Sequence, residues 1–294
     1  MPAKAYAALL LACALWALSF VATKVALESA PPLAVVALRL MVSAGCFLIW
    51  LAAIRRRLPL HALGAQWGRL ALLSLCGGSL HYGLQTVGLQ YTSASNGSLY
   101  AVTAPVTIAV LGVMFLGERP TLGKTIGIFV ALVGVLTVMG LAELRSFELG
   151  GRVFGDLLVL TSIVLWGVFT VLGKTATDRF GATNMTAAVT VLAAATMLPI
   201  GFWELGKRGL TLSVIPSEAW AAIAFLGVGC SFLATLLYFF ALEASESQKV
   251  GVFLYTIPPM TAIVAKLALD EALGLRFFVG SALVIVGVVL TERS

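Results

Sequence analysis

Ten stretches of about 20 apolar residues follow one another along this chain, near residues 5–25, 33–54, 70–89, 94–116, 122–141, 153–173, 183–203, 220–242, 250–269 and 275–290. A run of that length spans the hydrocarbon of a bilayer as a helix, and a backbone in lipid must satisfy its own polar groups, which leaves helices or closed barrels. No run alternates apolar and polar residues with period two, so the barrel is excluded. The expected fold is therefore all-α and integral to a membrane, with ten transmembrane helices. Turn and charge signals fall at the joints: Pro31-Pro32, Arg55-Arg56-Arg57, Thr92-Ser93, Gly117-Glu118-Arg119-Pro120, and segments 145–152, 207–218 and 243–249.

Composition agrees. Only 11% of the 294 residues are charged and 60% are hydrophobic, whereas a water-soluble domain carries roughly 25% charged residues. A soluble protein is excluded. The net charge of +6 does not point to nucleic acid, because the basic residues sit in short segments between apolar runs. They follow the positive-inside bias: with the N-terminus inside, eleven Lys and Arg lie on the inner side, seven on the outer side, and Arg39 lies within a span. Both termini are thus expected on the cytoplasmic side of a multi-pass membrane protein. The first run follows only Lys4 and lacks a small-residue cleavage site, which reads as a retained helix. Cys13, Cys46, Cys76 and Cys230 each fall inside an apolar run without CxxC spacing, so neither a disulfide framework nor a zinc site is expected.

The two halves of the chain are related. Trp16 and Lys24 recur as Trp166 and Lys174, and further on Leu89, Pro105, Glu118, Gly127 and Gly134 recur as Leu242, Pro258, Glu271, Gly280 and Gly287. A Pro, a Glu and two Gly shared in one register are hard to obtain from chance likeness of two apolar helices. Each half, 1–145 and 150–294, holds five spans. An odd number inserts the second half in the opposite sense, and inverted repeats around a midplane site are how many secondary transporters open alternately to either side.

Trp16 with Lys24, the segment Pro32–Arg39, and Gly117-Glu118-Arg119-Pro120 followed by Gly127 and Gly134 resemble the signature of the drug/metabolite transporter superfamily, in its EamA-type ten-helix branch. The likeness covers essentially the whole chain. In the second half, Leu269-Asp270-Glu271 stands where the first has Leu116-Gly117-Glu118. The resemblance implies a ten-helix basket with cytoplasmic termini and export of amino acids or related metabolites. It also implies a solute path lined by spans 1–4 and 6–9, with spans 5 and 10 peripheral.

Polar and aromatic residues at helical spacing mark the candidate path. Trp16, Ser19, Phe20 and Thr23 share a face of span 1, and Trp166, Phe169 and Thr170 share one of span 6. His81, Tyr82 and Gln85 cluster on span 3. Asn96, Tyr100, Thr103 and Thr107 run along span 4, and Ser231, Thr235 and Tyr238 along span 8. Tyr255 precedes Pro258-Pro259 on span 9. Such faces turn inward, to helix contacts or to a cavity. Trp16, Ser19, His81, Tyr82, Tyr100, Trp166 and Tyr255 are the expected substrate-binding set. Arg39, about 9 Å into span 2, either snorkels as an anchor or attracts a substrate carboxylate. Pro105 and Pro258 free carbonyls in mid-helix and are candidate hinges or gates. His81 can couple protons or simply bond a neighbour. Lys24 and Lys174 can anchor or gate. Glu118 and Glu271 are expected to cap the helices that follow them.

No HExxH, G-x-S-x-G, P-loop or DxD-like cluster occurs, which argues against an enzyme and against any metal or cofactor. The expected function is secondary transport of a small molecule, an amino acid or related metabolite, by alternating access, in a protein acting as monomer or homodimer. The alternatives are a carrier of another small metabolite or drug and, from another class, a channel or an integral membrane enzyme.

Overall fold

The computed structural model describes residues 1–55, 64–92, 97–98, 100–101, 103–139, 151–269 and 275–294. The Glu271, Asn96, Arg56, Arg57 and His61 readings lie outside these residues. Among those described, the chain forms ten helical rods that follow the ten apolar runs: α1 (Ala3–Leu27), α2 (Pro32–Ala53), α3 (67–91), α4 (Thr103–Leu116), α5 (Leu122–Met139), α6 (Gly151–Phe180), α7 (Ala182–Lys207), α8 (217–243), α9 (247–269) and α10 (Leu275–Arg293). Five of them, α1, α2, residues 153–180, α7 and α8, are long and apolar enough to cross a membrane by length and composition. α4 is apolar but shorter.

Three rods are not regular. α3 contains a π turn at Leu75–Ser79, α8 one at Leu226–Ala234, and α9 tightens to a 3-10 helix over Val252–Thr256. The two π turns fall at corresponding places in the two halves. In α9 the tightening directly precedes Ile257-Pro258. Pro258 has no N–H to give the carbonyl four residues back, and a 3-10 turn re-pairs carbonyls left without an i+4 donor.

α5 and α10 pack chiefly on each other. Their crossing is built on glycine: a Cβ placed on Gly134 would lie 2.6 Å from the Val284 nitrogen and 2.7 Å from the Gly280 carbonyl oxygen, and one on Gly127 would lie 2.7 Å from the Gly287 carbonyl oxygen. The backbones meet where lipid supplies no hydrophobic drive for helix association and close packing must serve instead.

Met1 and Glu292 pair through the terminal ammonium at 3.1 Å, so both termini lie at one end of the bundle. The same end is closely tied. Gly117, at φ 66°, reverses the chain after α4, a conformation glycine adopts without a Cβ penalty. It brings Glu118 to the start of α9, where the carboxylate accepts from the Ser247 and Gln248 N–H groups at 2.6 and 3.2 Å. This corrects the expectation that Glu118 caps the helix after it: the capped N-terminus belongs to the other half. An N-terminal dipole binds any carboxylate that reaches it, whatever its place in sequence. Lys124 pairs with Glu246, and Lys174 donates to the Leu242 and Ser245 carbonyls at 2.8 and 2.6 Å. At the opposite end Glu204 of α7 caps α2, accepting from Leu33 and Ala34 N–H at 2.8 and 3.2 Å.

Candidate functional site

A small cavity lies among α1, α2, α3, α4, α6 and α9. Its wall carries Trp16, Ser19 and Phe20 from α1, Arg39 from α2, His81, Tyr82 and Gln85 from α3, Ile163 and Trp166 from α6, and Leu254 and Ile257 from α9, with Ala101 and Ala104 from the fourth span. Spacings of three and four place each set on one face of its helix. Among the described residues, α5 and α10 contribute nothing to this wall. α7 and α8 also stay off it, although α8 stands directly behind and supplies two bonds to wall residues.

The aromatic side is a set of tilted rings. Trp16 and Trp166 meet edge-on at 5.0 Å, His81 lies 5.2 Å from Trp166 and 4.8 Å from Tyr82, and Tyr238 backs both tryptophans at 5.3 and 5.7 Å. Edge-to-face geometry suits ring quadrupoles. The Trp16 indole N–H donates to the Cys230 carbonyl at 3.2 Å. That carbonyl lies inside the π turn of α8, where the loosened ladder leaves oxygens to be shared. The polar side is Arg39, 1% exposed. Its Nε donates to Ser231 Oγ at 3.0 Å and its Cζ stands 4.0 Å from the Tyr82 ring centre. His81 Nδ1 lies 2.8 Å from the Ser162 carbonyl. A carbonyl only accepts, so Nδ1 carries the proton and, in the neutral ring, Nε2 is an acceptor.

Of the expected binding residues, Trp16, Ser19, His81, Tyr82 and Trp166 gather at this cavity with Arg39. Two do not. Tyr100 lies beside the buried carboxylate of Asp156 and off the wall. Tyr255 is fully buried in the core, with no partner for its hydroxyl among the described residues. Pro105 and Pro258 are buried beside wall residues Ala104 and Ile257. Sequence reading left out Tyr238 and Ser231 as site residues. Their signal was the polar stripe on α8, which carried no clue that Arg39 and the tryptophans would lean on it. Among the described residues, His, Cys, Asp and Glu nowhere gather in threes that could hold a metal ion.

A bundle of apolar helices around a half-aromatic, half-polar cavity is the build of a membrane protein that handles a small solute. The chain belongs to the EamA-like transporter family, which matches residues 3–140 and 153–293, and it is a membrane transporter of that type. It is 29% identical over 291 residues to an uncharacterized transporter of Archaeoglobus fulgidus, covering 99% of this chain and 98% of the other. It is 27% identical over 300 residues to a probable terminal-alkyne amino-acid exporter of Streptantibioticus cattleyicolor, covering 99% and 94%. A solved crystal structure with 18% identity superposes with a TM-score of 0.79 over 99% of this chain and 96% of that one, so the fold is shared.

Proposed function

We propose that the chain is a secondary transporter that exports amino acids or related small metabolites across a bacterial cytoplasmic membrane by alternating access. In this reading its ten helices cross the membrane as two inverted five-helix repeats, residues 1–145 and 150–294, and the end carrying both termini faces the cytoplasm. One observation carries the proposal: the cavity lies where helices of both halves meet, and the register-related pair Trp16 and Trp166, in edge-on contact at 5.0 Å, forms part of its wall. The family membership and the relative named an amino-acid exporter support the substrate class and direction.

Unequal ends support the alternation. In an inverted repeat, each contact at one end has a counterpart at the other. Lys174 binds the Leu242 and Ser245 carbonyls at the terminal end. The counterparts by register are Lys24, Leu89 and Thr92, and among the described residues Lys24 makes no hydrogen bond or ion pair. Together with Glu118 on the α9 N-terminus, this clasps the cytoplasmic end by a Lys174 contact whose counterpart at Lys24 is not made among the described residues. Exchange of the two arrangements moves the cavity's opening from one side to the other, with Pro105 and Pro258 as bending points.

Purified protein in liposomes tests the proposal with a panel of radiolabelled amino acids. A carrier gives saturable uptake and counterflow. Flux with neither property would make the protein a channel, and chemical conversion of the solute would make it an enzyme; both overturn the proposal.

A further inference from the structure

We infer that Arg39 is the seat of a solute carboxylate, so that the cavity selects molecules bearing a free acid group and orients them by it. The inference rests on the transport reading above and adds the chemistry of recognition.

Arg39 is almost wholly buried yet stands on the cavity wall. Its neighbours there are neutral: the Ser231 hydroxyl takes the Nε proton and the Tyr82 ring covers one face. A guanidinium has five N–H donors in a fixed fork, and among the described residues only one is engaged. The two terminal nitrogens make no hydrogen bond, and no carboxylate lies within ion-pair distance among the described residues. A buried charge is ordinarily paired, because an unpaired one costs far more than a neutral group in its place. A clamp between α2 and α8 would need only one neutral donor to Ser231. The retained positive charge and the idle fork are what a carboxylate requires for two parallel bonds.

The aromatic side of the cavity, which shares Tyr82 with Arg39, suits the rest of an amino acid. His81 gives its Nδ1 proton to the Ser162 carbonyl, which leaves Nε2 to accept from an ammonium group, and the Trp16 and Trp166 rings offer faces to the ammonium or an apolar side chain. A zwitterion therefore spans the cavity with its acid end on Arg39. Amines and esters of the same shape would leave the guanidinium unpaired and be rejected.

The test compares standard amino acids with their methyl esters and decarboxylated amines, as competitors of counterflow in liposomes and as stabilisers in thermal unfolding of the detergent-purified protein. In the wild type the acids should act about tenfold to a hundredfold more tightly than the esters, as befits a lost hydrogen-bonded ion pair. In Arg39→Gln the discrimination should fall to about twofold or less, since no charge remains to be matched. Should Arg39→Gln fail to fold, Arg39→Lys gives the same reading: the charge persists without the fork, and the preference should fall by about tenfold. Esters acting as well as acids on the wild type, no acid acting at all, or undiminished discrimination in the variants would each overturn the inference. Failure of counterflow with every solute would overturn the transport reading instead, while acid-specific stabilisation lost in Arg39→Gln would still uphold the carboxylate seat.

Discussion

Replacing Gly134 by alanine adds one methyl group at the α5–α10 crossing, and in an isolated helix it would stabilise by about 1 kcal/mol. Here the sign should reverse. The added Cβ would sit 2.6 Å from the Val284 nitrogen, 2.7 Å from the Gly280 oxygen and 2.9 Å from the Leu283 Cβ. Two of those three atoms are backbone and cannot swing aside. The helices must part by about 0.5–1 Å, which forfeits a quarter to a half of each contact across the strip. With on the order of 50 atom pairs at ~0.15 kcal/mol each, the loss is about 2–4 kcal/mol. After the gain in helix propensity, the net cost is about 1–3 kcal/mol, the range usual for overpacking. Gly45→Ala is the control, since a Cβ at Gly45 meets nothing within 4 Å and only propensity acts. Thermal unfolding in a mild detergent should rank Gly45→Ala at or above the wild type and Gly134→Ala clearly below it. A Gly134→Ala protein as stable as the wild type would refute the idea that these glycines serve backbone approach.

Three further outcomes are expected. Trp16→Phe, which loses the bond to the Cys230 carbonyl, and Trp166→Phe should each lower transport in liposomes about tenfold, the value of one good hydrogen bond, while the thermal midpoint stays within a few degrees; transport unchanged in both, or lost only in step with unfolding, would assign these rings to packing alone. Glu118→Ala strips the acceptor from the Ser247 and Gln248 N–H groups and should cost about 1 kcal/mol of stability, as lost helix caps do, an effect that an unchanged unfolding midpoint would rule out. Tyr255→Phe removes a buried hydroxyl that has no partner among the described residues and should leave the protein as stable or about 1 kcal/mol more so, with transport intact; transport lost in a well-folded variant would show instead that the hydroxyl serves the solute.

Much of this architecture is local and periodic, and such features are legible in a chain read alone. Twenty-residue apolar runs set the helices, so rods α1 to α10 follow the runs closely. Proline at the start of α2 and glycine after α4 mark their ends by their own backbone limits. The glycines Gly127, Gly134, Gly280 and Gly287 stand out as paired small residues, and they do meet. Trp16 and Trp166 are visible as a pair because the two halves share a register.

What the sequence determined by itself, then, is the helical membrane class, the shared register of Trp16 with Trp166 and the apolar runs that set the rods. Tertiary structure decided which face each rod presents, because a helix turns about 100° per residue and small local changes accumulate. The five 3-10 residues of α9, at about 120° each, rotate what lies beyond them by about 100° relative to a regular helix. Tyr255, inside that stretch, is buried in the core while Leu254 and Ile257 reach the cavity. The π turns of α3 and α8 offset their faces in the opposite sense, since an i→i+5 helix turns less per residue. Tertiary structure also chose the partners: Glu118 binds an N-terminus 129 residues away, and Arg39 lies against Ser231 and Tyr82 rather than a carboxylate. Charge and dipole act through space with no regard for chain order, and so the residues that define the cavity's chemistry became apparent only once the helices were packed.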